Sequence, residues 1–319
     1  MRRKRVAVVD RMVERGSCGL ATSIMMITRR IALAVLLLLS IPSFAQSLRA
    51  GEAISRIQHR YAAAPPPNTV DTIKVGDPDT VVTGITTTFL DTMDVLRESV
   101  KRGNNLIITH EPTFYNHSDD TKFFADDPVY KEKLAFIEEH HLVVFRLHDE
   151  IHAGTTDHIL KGMYEALGWQ EYPHPTGPRG QYFVTIPQTT LDQLAQRLQT
   201  QLHIQTLRVE GDPKLSISHV AFLPGSSGLE KQVFALRQPD VEVLIAGEAS
   251  EWETVEYVRD AVAQGRHKAL ILLGHEVSEE PGMERCAKEL RELFPGMRVD
   301  HIEAGQPLWN PEHGPVERK

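Results

Sequence analysis

Four apolar runs in this 319-residue chain end on side chains that bind metals or move protons. "LIIT" (106–109) runs into His110 and Glu111, and "LVVFRL" (142–147) runs into His148, Asp149, Glu150 and His152. "VEVLIAG" (241–247) stops at Glu248, and "ALILLG" (269–274) stops at His275, Glu276 and Glu279. Imidazoles and carboxylates gathered in one place suit borderline divalent cations such as zinc, iron, manganese or cobalt. Carboxylates can also bridge two ions, and a close pair of ions generates a hydroxide while holding a leaving oxygen. Without cations, so many carboxylates and histidines would be held together against self-repulsion and desolvation. A single strand ending on His is more often a hydrogen-bonded turn residue than a ligand; four such ends point to a site.

Not every polar residue belongs to it. His275 and Glu279 stand at i and i+4, which shares a helix face, although Gly274 and Pro281 suggest a loop entering a helix; either geometry lets both reach one ion. His140 and His141 close a helical pattern and read as a solvated helix end. His117 lies in the polar loop "YNHSDD", equally a lid or a turn. Met163, Tyr164 and Trp169 fit a core. Cys286, inside an amphipathic helix, reads as a buried inert thiol. "LPGSSGLEKQ" (223–232) reads as an ordinary loop rather than an anion-binding turn, and neither a dinucleotide fingerprint nor a phosphate-loop lysine motif is present.

The elements that must position these residues alternate strand with helix: "TVVTGITTT" then "TMDVLRESVKRG", "NNLIITH" then "DPVYKEKLAFIEEHH", "LVVFRLH" then "TTDHILKGMYEALGW". Repeated βα units imply a parallel sheet covered by helices, whose strand carboxyl ends share one edge. Asp91 or Thr92 is expected to cap the first of these helices and Gly103 to end it; Asp157 starts the third and Gly168 closes it. After the break "EYPHPTGPRGQ" the rhythm changes, so 171–240 is read as an inserted α+β module. A helix from Trp252 to Ala263, the run "HKALILLGHE" and the helix "GMERCAKELRELF" restore the first grammar and are expected to rejoin the first domain. The fold class is therefore α/β: a two-domain protomer with a mainly parallel sheet domain from 46–170 and 241–319, and the smaller module inserted.

Ahead of this body, Arg29 and Arg30 precede an apolar run from Ile31 to Ile41 and the small-residue tripeptide Ser43, Phe44, Ala45. That is the layout of a secretory signal peptide, with cleavage expected after Ala45 and an uncleaved tether as the alternative. The run is too short for a comfortable membrane span, so no stable anchor is expected. Translation is expected to start at Met25 or Met26, leaving 1–24 unmade. Removing 1–45 takes away eight Lys/Arg and two Asp/Glu and moves the net charge from -8 to -14. Such a field disfavours nucleic acid and anionic lipid and suits a cation binder. Only Cys286 then remains, so no intrachain disulfide can form.

The motifs together resemble the Nif-three-like dinuclear metal-centre hexameric proteins, often labelled GTP cyclohydrolase type 2 homologues. The resemblance runs through "NNLIITHEPTFY", "LHDEIHAGTTD", "FLPGSSG", "VEVLIAGEASEWET" and "LLGHEVSEEPG". It implies that His110, Glu111, His152, His275 and Glu279 occupy five ligand positions for two divalent ions, zinc, iron or manganese. Glu111 stands where the family has a second histidine, and His152 where it has an aspartate, so the donor set is rearranged. His148 takes the place of a further family histidine and is expected to transfer protons, with Glu111 as the other proton carrier. The resemblance also implies a homohexameric ring of two-domain protomers. The function expected is an exported metal-dependent hydrolase of a small molecule; the alternative is a non-catalytic assembly that stores, delivers or senses metal.

Overall fold

The computed structural model describes residues 47–62, 66–153, 156–176, 180–312 and 314, so residues 1–45, expected from their pattern to be a signal peptide, lie outside the described residues. Leu48–Lys319 forms one compact unit of contacts. In chain order its elements are α1 (Ala50–Tyr61), β1 (Ile73–Val75), β2 (Ile85–Thr88), α2 (Met93–Arg102), β3 (Leu106–Thr109), α3 (Pro128–Glu139), β4 (Val143–Arg146) and the single turn α4 (Asp149–His152). Then come α5 (His158–Leu167), β5 (Phe183–Thr190), α6 (Leu191–Gln201), β6 (Arg208–Glu210), β7 (Ser216–Leu223), α7 (Leu229–Leu236) and β8 (Val243–Ala246). The chain closes with α8 (Glu256–Ala263), entered through a π-helical turn at Glu251–Val255, β9 (Ala269–Leu272), α9 (His275–Leu293) and β10 (Val299–His301).

Local chemistry sets the helix ends much as the sequence implies. Thr92 accepts the Val95 amide at the start of α2, and Gly103 ends it at φ 75°. Asp157 accepts the Leu160 amide at the start of α5, and Gly168 closes it at φ 68°. Helix α9 starts earlier than expected, at His275, and carries Pro281 inside it. His275 and Glu279 therefore share the first turns of one helix, and the loop entry suggested by Pro281 does not occur.

Among the described residues ten strands make two five-stranded sheets, ordered β1-β4-β3-β2-β10 and β5-β7-β8-β9-β6. In the first, β10, β2, β3 and β4 are parallel and β1 is antiparallel. In the second, β7, β8 and β9 are parallel, with β5 and β6 antiparallel at the edges. This is the mixed α/β architecture expected. One expectation is corrected: β8 and β9 do not return to the first sheet but continue the second, and the chain comes back only through α9 and β10. The reason is connectivity, since successive strands joined by a short crossover helix settle as neighbours, which carries β7 directly into β8 and β9.

The first sheet packs on α1 and α9 through Ile54, Ile57, Ile85, Ile108, Phe145, Met283 and Leu290. The second is covered on one face by α5 and α6 through Met163, Leu167, Leu194 and Leu198 against Val220, Phe222, Val243 and Ile245. Met163, Tyr164 and Trp169 are core residues as expected, Cys286 is buried and free, and His140 and His141 sit exposed at the end of α3. Among the described residues no helix is long and apolar enough to cross a membrane.

Helices α5 and α9 cross backbone to backbone. A Cβ built on Gly162 would lie 2.5 Å from the Pro281 carbonyl oxygen, and one on Gly282 would lie 2.5 Å from Ile159 Cα. Backbone atoms cannot yield as a side chain can, so Gly282→Ala is expected to cost about 1–3 kcal/mol of stability by overpacking. A thermal melt should show a loss of roughly 4–8 °C for about 2 kcal/mol. An unchanged melt would mean the two helices slide apart freely.

Candidate metal centre

The carboxyl ends of parallel strands from both sheets meet at one place. On the first-sheet side, β3 delivers His110 and Glu111, and β4 runs through Leu147 into His148 and the turn α4 that carries His152. Buried Asp71 fixes that turn, since its two oxygens accept the backbone amides of His148, Asp149 and Glu150 at 2.8–2.9 Å. On the second-sheet side, β7 ends in Pro224 and Gly225, β8 in Gly247 and Glu248, and β9 in Gly274 and His275. These loops are stitched together: Glu248 donates its amide to the Gly225 carbonyl, and Gly274 donates to that of Gly247. Gly225 in turn donates to Ser278 Oγ of α9 at 2.9 Å.

Hydrogen bonds fix which nitrogen each histidine offers. His110 Nδ1 lies 3.0 Å from the Leu147 carbonyl oxygen, which can only accept, so Nδ1 carries the proton and Nε2 is the free lone pair. His152 Nδ1 lies 2.9 Å from Asp157 Oδ2, and His148 Nδ1 lies 2.9 Å from Asp149 Oδ1. Both present Nε2 by the same logic, the arrangement in which a carboxylate orients a metal-binding imidazole. Tyr182 adds its hydroxyl to Asp157 Oδ2 at 3.0 Å. The three rings are mutual neighbours, with centroids 4.8, 5.1 and 5.3 Å apart.

Two overlapping groups can hold a metal ion. Ligand atoms of His110, His148 and His152 lie within 4.8 Å of one another, as do those of His110, Glu111 and Glu279. His275 joins the second group, its Nε2 lying 3.2 Å from both Glu111 Oε1 and Glu279 Oε2, while its Nδ1 is 3.4 Å from Glu248 Oε1. The fit to a cation shows in what is left unpaired. His110 Nε2 and Glu279 Oε2 are buried, make no hydrogen bond and stand 3.4 Å apart. A lone pair facing a carboxylate oxygen in a dry pocket is costly unless a positive charge sits against both.

The local field agrees. Burial would raise the Glu279 carboxyl, but the imidazoles of His110 and His275 overcome it and hold it well below the usual carboxylate range. Burial opposes charge on His275 as well, yet Glu111, Glu248 and Glu279 push it up to about 12. His152 is likewise raised against its burial, by Asp157, to about 9. His148 goes the other way, to about 4, because burial and the neighbouring His110 disfavour its charge.

Protons and a cation must therefore compete for His152 and His275, which are charged at neutral pH. Divalent-ion affinity is expected to rise from about pH 6 to pH 8, roughly tenfold per pH unit for each proton displaced. Calorimetry in buffers of different ionisation heat would count those protons; an affinity that ignores pH would contradict the competition.

The structure brings together all six residues singled out from the sequence: His110, Glu111, His148, His152, His275 and Glu279. Glu248 is beside them, whereas Glu150 turns away to accept a bond from Gln58. His117 and Glu276 line the adjoining cavity of about 1700 Å³, together with Glu111, His148, His152 and Glu279. The expectation of one shared sheet edge is corrected, because the site lies between the edges of two sheets. Sequence reasoning missed three supporting residues. In sequence Asp157 looks only like a cap and Asp71 stands in no motif; Arg146 is a charge inside an apolar run, a signal visible in "LVVFRL".

A mixed α/β body with histidine and glutamate donors gathered between the carboxyl edges of two sheets belongs to the class of α/β proteins built around a candidate metal centre. The chain is a member of the Duf34/NIF3 (NGG1p interacting factor 3) family, whose sequence profile matches residues 71–306. It is 25% identical over 235 residues to a "GTP cyclohydrolase 1 type 2 homolog" of Clostridium acetobutylicum, spanning 72% of this chain and 84% of that protein. Its fold is shared with Staphylococcus aureus protein SA1388, at TM-score 0.65 and 17% identity, over 83% of this chain and 99% of the other. A Bacillus cereus protein related to NIF3 is similar at TM-score 0.64 and 16% identity, over 84% and 99%. The resemblance read from the sequence motifs thus names the right family.

Proposed function

We propose that this chain is a metal-dependent hydrolase of a small molecule, with two divalent cations held where the two sheets meet. The observation that carries the reading is the buried pair His110 Nε2 and Glu279 Oε2, 3.4 Å apart without a hydrogen bond and with His275 Nε2 3.2 Å from the carboxylate, beside a large open cavity. His110, Glu111, His152, His275 and Glu279 would hold the ions, zinc, iron or manganese by the chemistry of their donors. When bound, such ions supply Lewis acidity and lower the pKa of water. His148 is the proton acceptor. Its Nδ1 is tied to Asp149, its Nε2 is free, and its shift down to about 4 leaves it neutral near pH 7 on the cavity wall.

Phe89, Pro112, Tyr115 and Leu308 give the cavity apolar walls, consistent with an organic substrate. Ring opening of GTP, the activity in the Clostridium relative's name, is one candidate. Export rests on the signal-like pattern of 29–45, and a homohexamer on the family resemblance; the acidity of the chain after Ala45 argues against nucleic acid as a partner.

The test is to load the purified protein with each metal and screen hydrolysis of phosphoester, nucleotide and amide panels. Metal-dependent turnover that His148→Ala abolishes while keeping the bound metal supports the reading, whereas loss of metal in that variant would make His148 a ligand and not the proton acceptor. Full metal occupancy with no turnover on any panel contradicts it and favours storage or sensing.

A further inference from the structure

Arg146 is the last residue of β4 and is fully buried. A guanidinium in a dry interior is retained only where most of its donors are used. Here Nε donates to the His110 carbonyl oxygen at 3.2 Å, one terminal nitrogen donates to the His117 carbonyl oxygen, and the other donates to Glu111 Oε2 at 3.1 Å. Asp119 Oδ2 lies 3.5 Å away and is itself shared with Lys74. All four of these partners lie on the segment 110–119 that follows β3 and carries two of the proposed ligands. Arg146 is thus a brace between adjacent strands, and it takes one oxygen of Glu111 for itself.

We infer that Arg146 is a positioning residue that makes Glu111 a single-oxygen donor: Oε2 is held in the guanidinium pair, and only Oε1 faces the metal site. Resting on the metal-centre reading, the inference goes beyond it by assigning the two carboxylates unequal roles. Glu111 Oε1 lies 3.2 Å from His275 Nε2 and 3.7 Å from His148 Nε2, on the site side of the group. Paired with Arg146, the Glu111 unit is net neutral and offers one donor atom, which is what one neutral imidazole would supply. Glu279 differs: it has no arginine partner, and its Oε2 makes no hydrogen bond but lies 3.4 Å from His110 Nε2 and 3.2 Å from His275 Nε2.

The equivalence makes a reciprocal test. Glu111→His leaves Arg146 buried without its carboxylate, and Arg146→Met frees both oxygens of Glu111; each should weaken binding of Co²⁺ by about 10- to 100-fold, as loss of an orienting partner does. The double variant restores a neutral single donor with no orphaned charge, and should regain most of that loss together with the wild-type Co²⁺ absorption bands. A double variant as weak as the worse single one would overturn the inference, reducing Arg146 to a brace for the 110–119 segment. Should Arg146→Met fail to fold, Glu111→His alone decides: weakened binding supports the pair, and wild-type affinity overturns it. If the wild-type protein binds no Co²⁺, the metal reading itself fails, and this inference with it.

Discussion

His110→Ala is expected to remove at least one of the two proposed ions. His110 belongs to both donor groups, and its Nε2 is the atom left buried and unpaired beside Glu279. Losing an orienting partner costs about 10- to 100-fold in affinity. The single Nε2 lone pair of His110 can bind one ion, and removing a donor outright should exceed that cost, so one equivalent should be lost at micromolar metal. The fold should survive, because the ring's one hydrogen bond is to the Leu147 carbonyl and the β2–β3–β4 pairing does not involve it. Elemental analysis of the purified variant, with circular dichroism as the control for folding, checks both halves. Retention of both equivalents would show that His110 is not a donor.

The second large effect comes from a residue with no side chain. Gly225 sits at φ +62°, and a Cβ there would lie 2.2 Å from Glu279 Oε1 and 3.1 Å from His275 Nε2. Gly225→Ala meets a conformational cost of about 1–2 kcal/mol for the left-handed backbone. The clash falls on the far end of a carboxylate, which can swing aside, so the damage is displaced from the fold to the site. A melt lowered by only a few degrees is expected together with at least about tenfold weaker metal binding, comparable to losing a supporting contact. Wild-type binding in Gly225→Ala would mean that Glu279 tolerates displacement and is not a donor.

These two residues also show what a sequence discloses and what it hides. His110 was legible because an apolar strand ending on His and Glu is a local pattern, repeated at His148, Glu248 and His275. Gly225 looks like part of an ordinary loop, since nothing in "LPGSSG" announces that Glu279, more than fifty residues on, will press against it. Sheet membership was hidden for a similar reason: "VLIA" and "ALIL" are equally apolar on both faces and carry no mark of which sheet will pair with them. Connectivity decided it, and the site moved from one edge to the seam between two. His152 and Asp157 were both noticed, but a cap and a ligand look unrelated until the turn at α4 brings Nδ1 to the carboxylate. Arg146 was overlooked because its partners lie on a neighbouring strand's loop, where only tertiary pairing places them.

The claim on which the rest stands is that the unpaired donors around His110 and Glu279 exist to hold divalent cations. The most direct test is titration of chelator-treated protein with Zn²⁺, Mn²⁺ and Fe²⁺, reading stoichiometry by calorimetry and elemental analysis. The account predicts two ions bound per chain for at least one of these metals, with protons released on binding. Saturating metal with no bound equivalent, in protein that remains folded, would contradict it.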